Sequence, residues 1–171
     1  MIIAVVGANL SSRPSPEALA KAEAVGVAIA RGGHALICGG QGGVMEAACR
    51  GAANAGGTTI GVLPGAGRDG MNPYVQIPIA TGMGDARNAI IVLSADAVIA
   101  VAGAYGTLSE IALALNNGKP VAGISTWEIG RNGNVEEAIY RTEDPAEAVR
   151  WVVQAAVPQA PPSTTTEVRD G

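Results

Sequence analysis

The chain has 171 residues, 48% of them hydrophobic and 15% charged, and a net charge of −4. This length suits one folded domain with a sizeable core, and so low a charged fraction argues against disorder. With only two lysines, Lys21 and Lys119, there is no basic surface to hold nucleic acid by counterion release; Met1 to Gly7 lacks a basic leader region, no apolar run reaches membrane-spanning length, and a cytoplasmic protein is expected.

Ile2 to Val6 reads as a buried strand. Ser15-Pro16-Glu17 supplies an N-cap and a proline at the first helical position for a helix reaching about Arg31. Ala35 to Cys38 is a second strand, followed by Gly39-Gly40-Gln41-Gly42-Gly43 and a helix from Val44 to about Asn54 that Gly56-Gly57 ends. Thr58 to Leu63 is a third strand, Pro64 to Tyr74 a loop rich in glycine and proline, and Val75 to Ile79 a candidate strand. A helix from about Asp85 to Ser94 precedes the apolar strand Ala97 to Val101. A glycine turn and an apolar helix follow, stopped at Asn117-Gly118.

Lys119 to Ile124 is a further strand, Trp127 to Asn134 a loop, and Ala138 to Tyr140 a short extended piece. Asp144-Pro145-Ala146-Glu147 reads as a capping box for a last helix ending near Ala156. Residues 1–156 are expected to form a single domain and Val157 to Gly171 a disordered tail. There is no internal repeat. Continuous apolar strands alternating with helices predict an α/β architecture, with a parallel sheet covered on both faces.

In open sheets of this kind ligands bind beyond the carboxyl ends of the strands. Three glycine-bearing turns fall there: Gly7-Ala8-Asn9, Gly39 to Gly43, and Gly103-Ala104-Tyr105-Gly106-Thr107. The third opens a helix, whose unpaired first-turn amides and dipole attract an anion, so a phosphate-bearing ligand is expected. It is not a P-loop, since the one Gly-Lys pair, Gly118-Lys119, precedes Pro120 at a strand start. It is not a dinucleotide fingerprint either, because the turn after the first strand lacks the second and third glycines. Lys21 and Lys119 are badly placed for a Schiff base with pyridoxal phosphate at that rim, which argues against a decarboxylase.

Cys38 and Cys49 are too few and too dispersed for a disulfide framework or a zinc site and read as small buried hydrophobes. His34, the one histidine, reads as a polar residue at a strand end. Two charged residues stand out. Glu110 is an isolated acid at the rim, and it either completes a capping box with Thr107 or faces a ligand. Arg87 lies in the first turn of a helix, where a cation opposes the dipole. It either forms an ion pair with Asp85 or a neighbour, or aims its guanidinium at phosphate or a ligand ring.

Over residues 2 to 155 the chain resembles the Lonely Guy (LOG) superfamily, often mislabelled lysine decarboxylase, and most closely its molybdenum cofactor carrier-like branch. The resemblance rests on Gly39-Gly40-Gln41-Gly42-Gly43-Val44-Met45-Glu46, on Thr81-Gly82-Met83-Gly84-Asp85-Ala86-Arg87-Asn88, and on Gly103-Ala104-Tyr105-Gly106-Thr107-Leu108-Ser109-Glu110. It implies a Rossmann-like, doubly wound fold, a homo-oligomer of two or four chains, and a ligand site of Gly7, Ala8, Gly39, Gly40, Gly42, Gly43, Arg87, Asn88, Gly103, Ala104, Tyr105, Gly106, Thr107 and Glu110. No metal ligand and no required cofactor are implied, and molybdenum cofactor is a candidate cargo.

LOG enzymes cleave the N-glycosidic bond of nucleoside 5′-monophosphates, and in such an enzyme Arg87 and Glu110 would be the catalytic residues. Their signature, Pro-Gly-Gly-x-Gly-Thr-x-x-Glu, is altered here by Ala102 and Ala104, and Met83 to Asn88 carries the arginine with neither the histidine nor the lysine that accompany it in those enzymes. These departures favour a binding protein for a pterin or purine phosphate over a phosphoribohydrolase.

Overall fold

The computed structural model describes residues 1–135 and 137–157. Its elements, in chain order, are β1 (Ile2–Gly7), α1 (Pro16–Arg31), β2 (Ala35–Cys38), α2 (Val44–Asn54), β3 (Thr59–Leu63), β4 (Ile77–Ala80), α3 (Asn88–Ser94), β5 (Ala97–Val101), α4 (Tyr105–Asn116), β6 (Val121–Ile124), β7 (Gly130–Arg131), β8 (Asn134–Val135), β9 (Ile139–Arg141) and α5 (Pro145–Ala156). Seven strands form one sheet in the order β4-β3-β2-β1-β5-β6-β9. Every pairing in it is parallel.

The strands are apolar throughout because both faces are covered. Ile3, Val5, Leu36 and Val101 pack against Val25 and Ile29 of α1, Ala48 of α2 and Val152 of α5. Their sequence neighbours Ala4, Val6, Ile37 and Ala100 point the other way, against Ile91 of α3 and Ile111 of α4. Each fully buried large side chain contributes roughly 1.5–3 kcal/mol. The α1 and α2 backbones cross closely: a Cβ on Gly26 or Gly51 would lie 2.0 Å from the carbonyl oxygen of Ala48 or Glu23.

This is a Rossmann-like fold, as expected. The chain builds outward from β1 to β4, then returns to place β5 on the other side of β1. The resulting switch point lies between β1 and β5. Their register sets Gly7 opposite Val101, so the turns after both strands leave the sheet side by side.

Several local expectations are corrected. The fourth strand begins two residues late, at Ile77, because Val75 is buried against Gly61 and pairing with Ile60 starts only beyond it. The helix expected from Asp85 is a 3-10 turn, Gly84–Arg87, leading into α3, and Gly84 takes a left-handed φ of 55° there. The expected loop from Trp127 to Asn134 contains one strand of an antiparallel ribbon, β7–β8.

Asp144 caps α5 by accepting from the amides of Ala146 and Glu147. Glu147 does not close the box; its carboxylate takes hydrogen bonds from the Tyr140 and Thr142 hydroxyls instead. The cysteines, 11 positions apart, are not dispersed in space: their sulfurs lie 3.4 Å apart, both buried and both free thiols. The expected tail, beyond Val157, falls outside the described residues. Among those described, no helix is long and apolar enough to cross a membrane.

Candidate functional site

After β5 the backbone bends at Ala102 (φ 49°) and Gly103 (φ 121°). A side chain at 103 would be strained and would also collide with Thr107, whose Cβ lies 2.5 Å from the place a Cβ would take. This bend lets α4 start at Tyr105, with Ala104 as its N-cap and no side chain capping it. The first amide bonded within the helix is that of Leu108, which donates to Ala104 at 3.1 Å. The amides of Tyr105, Gly106 and Thr107 precede it and have no intrahelical acceptor.

The capping box between Thr107 and Glu110 is thereby excluded. Glu110 stands in the second turn, too far along to reach back to the N-cap. It is instead buried, 7% exposed, beside a cavity of about 110 Å³. Burial pushes its carboxyl up to about 7, against the opposing pull of the Arg87 charge. Near neutral pH it can therefore donate a proton or accept one.

Arg87 ends the 3-10 turn and is 6% exposed. Its Nη1 donates to the Asn88 carboxamide, so its hydrogen bond goes to Asn88 and not to Asp85. Its Nε is buried without a partner. The guanidinium packs over Gly39, where a Cβ would come within 2.5 Å of Nη2. Burial draws its pKa down, with Glu110 the largest opposing influence. Among the described residues the ion pairs within 4.0 Å are Lys21–Glu17, Lys21–Glu143 and Arg50–Glu23. Arg87 and Glu110 thus share a cavity without neutralising each other at contact distance.

Nine of the expected site residues line this cavity: Gly7, Ala8, Gly39, Arg87, Asn88, Ala104, Gly106, Thr107 and Glu110. Gly40, Gly42, Gly43, Gly103 and Tyr105 do not. Gly43 packs on the carbonyl of Ala8, and the neighbouring Val44 amide bonds that same carbonyl at 2.9 Å. Gly40 bonds the Asn72 amide, which pins the loop before β4 to the second turn, helped by Asn72 Nδ2 donating to Gln41 at 2.9 Å.

Asn9, Ser12, Gln41, Met45 and Asp85 also line the cavity; none was among the expected contact residues, although Asn9 and Gln41 lie in turns expected at this edge. The signal for the first two was the Asn-Leu-Ser-Ser run after β1. There Asn9 Oδ1 accepts from the Ser12 amide at 3.1 Å and caps the 3-10 turn Leu10–Ser12.

The carboxyl edge also holds a lysine. Although Lys21 sits mid-helix in α1, its Nζ lies 3.4 Å from Ser125 Oγ just past β6. Glu143 and Glu17 hold it protonated by raising its pKa, which suits an ion-pair network and not a Schiff base. Among the described residues no group of three or more His, Cys, Asp or Glu side chains could hold a metal ion.

A model of the SLOG cluster4 family matches residues 1–158. An uncharacterised protein of Archaeoglobus fulgidus is 45% identical over 157 residues, covering 92% of this chain and 97% of its own. Among solved structures, the molybdenum cofactor binding protein of the phototrophic bacterium Rippkaea orientalis superposes with a TM-score of 0.80 at 36% identity, over 90% of this chain and 95% of that one. The Moco carrier protein of Chlamydomonas reinhardtii gives a TM-score of 0.77 at 38% identity, over 90% and 96%. With the family model spanning the sheet and every turn that lines the cavity, this chain belongs to the SLOG cluster4 family.

Proposed function

We propose that the protein binds a phosphate-bearing ring ligand and acts as a carrier, with molybdenum cofactor as the cargo its structural relatives suggest. The observation that carries this reading is the cavity's pair of buried, mutually unneutralised groups: Arg87 with an unpartnered Nε and Glu110 with a carboxyl near neutrality. Uncapped amides at the start of α4 receive the phosphate, and Arg87 adds a charge-assisted fork. Glu110 takes ring N–H or hydroxyl groups. At roughly 1.5–3 kcal/mol for each charge-assisted bond, three or four of them reach the ~8 kcal/mol of a micromolar complex. The residues present therefore suit a phosphate with a polar ring system.

Calorimetry with AMP and with molybdenum cofactor, together with the mass and ultraviolet spectrum of any co-purifying molecule, tests this. Saturable binding that Arg87→Ala weakens supports it. Absence of binding to any purine or pterin phosphate would sink it. A phosphoribohydrolase is the second reading, and the elevated Glu110 carboxyl favours it because a group poised near pH 7 can serve as acid or base. Release of ribose 5-phosphate from AMP, lost in Glu110→Gln, would decide for the enzyme. The same reading takes the protein as a cytoplasmic homo-oligomer of two or four chains. The exposed Ile77 and Ile79 on the β4 edge support the assembly, and its mass by light scattering checks it.

A further inference from the structure

The cavity beside Arg87 is small. About 110 Å³ falls well below the roughly 300–1,000 Å³ of sites that enclose a drug-sized ligand, so a ligand held there extends beyond it. A second cleft, of about 320 Å³, lies beyond the ends of β5 and β6 and is lined by Ala102, Gly103, Ser125, Thr126 and Trp127. The first cavity lies beyond β2, β1 and β5, so the two follow one another along the sheet edge, where strands are about 4.8 Å apart. The segment 102–107 with its uncapped amides separates them.

The second cleft has an aromatic wall in a chain that has few aromatics. Trp127 is held at both ends: its Nε1 donates to the Ala104 carbonyl at 3.0 Å, and its own carbonyl accepts from Arg141 at 3.1 Å. Tyr105 backs the indole, with ring centroids 5.6 Å apart. It is 80% exposed, although it stands between two residues that line the first cavity. A further cleft that shares Asn9 and Gln41 with that cavity, lined also by Leu10, Ser11, Gly42 and Gly70, has no aromatic residue in its lining.

We propose that the cleft between Trp127 and the ends of β5 and β6 is a second ring subsite. The ligand class is then a two-ring molecule bridged by phosphate, such as a dinucleotide. One ring lies beside Arg87, the phosphates lie on the first turn of α4, and the other ring stacks on Trp127, whose indole Tyr105 supports from behind. This inference rests on the phosphate-and-ring reading of the first cavity and adds a second recognition element to it.

The test uses the Trp151→Phe protein, in which Trp127 is the only indole; Trp151 itself stacks on Tyr140 at 4.6 Å. Fluorescence and calorimetric titrations compare ADP, which has one base, with diadenosine diphosphate, the two-ring probe, which has two. The two-ring probe should quench Trp127 and bind about tenfold more tightly than ADP, the gain expected of one base stacked on an aromatic side chain. That ratio should collapse toward one in Trp127→Leu and in Tyr105→Ala; the second variant changes an exposed side chain and keeps the fold.

If ADP binds and the two-ring probe binds no more tightly, or keeps its advantage in both variants, the second subsite is refuted while the first cavity's reading stands. If neither nucleotide binds, both fall.

Discussion

Replacing Glu110 by glutamine should stabilise the folded protein, and by an amount that grows with pH. In the folded state the Glu110 carboxyl titrates at about 7 instead of the ordinary 4.5. Between those values the folded chain binds a proton that the unfolded chain has released, so stability falls as pH rises through this window. Below about 4.5 both states are protonated and the carboxyl has no such effect. Above 7 its cost is complete. At about 1.4 kcal/mol for each tenfold difference in proton affinity, that cost is about 3 kcal/mol.

Glu110→Gln keeps the shape and removes the ionisation. Urea unfolding followed by circular dichroism at pH 5, 6, 7 and 8 should show the variant's advantage over the wild type growing by about 2.5 kcal/mol across the series. At pH 8 that advantage corresponds to roughly 6–12 °C in Tm for a domain of this size. An advantage that stays the same at pH 5 and pH 8 would refute the placement of Glu110 as a desolvated, unpaired carboxyl. Stability given up at one position in this way is a mark of a site kept for binding or chemistry.

Arg87→Ala should lower the affinity for AMP or molybdenum cofactor by about 10- to 150-fold, as the loss of one charge-assisted bond of roughly 1.5–3 kcal/mol requires; an unchanged Kd by calorimetry would remove the guanidinium from the ligand's contacts. Gly51→Ala should destabilise by about 3 kcal/mol or more, because its Cβ would fall 2.0 Å from the Glu23 carbonyl and backbone cannot turn aside; a loss below 1 kcal/mol in urea unfolding would contradict the close α1–α2 crossing. Asp144→Ala should cost about 1 kcal/mol by freeing the amides of Ala146 and Glu147, and the same unfolding assay checks it.

The alternation of apolar strands with helices was legible in the chain because each strand is buried on both faces, which leaves uninterrupted runs such as Ala97 to Val101. The three turns were legible for a related reason: glycine is needed where backbones converge, and the parallel topology sends the turns after β1, β2 and β5 to one edge. Arg87 stood out as a charge that helix stability did not call for, and Glu110 as an isolated acid at the rim.

Other features depended on contacts between distant segments. Whether Thr107 capped a helix turned on the backbone at Ala102 and Gly103, which starts α4 at Tyr105 and moves Glu110 into the second turn. Val75 delays β4 only because it packs on Gly61.

Local spacing thus determined the strands, the helices and the sheet edge that carries the candidate site. Tertiary structure decided which of the edge residues share a cavity, that Lys21 reaches Ser125, and that Trp127 and Tyr105 meet beside the first turn of α4. The division has a physical basis: periodicity and capping act over a few residues, whereas burial, desolvation of a carboxyl and the meeting of two rings depend on groups that different elements bring together.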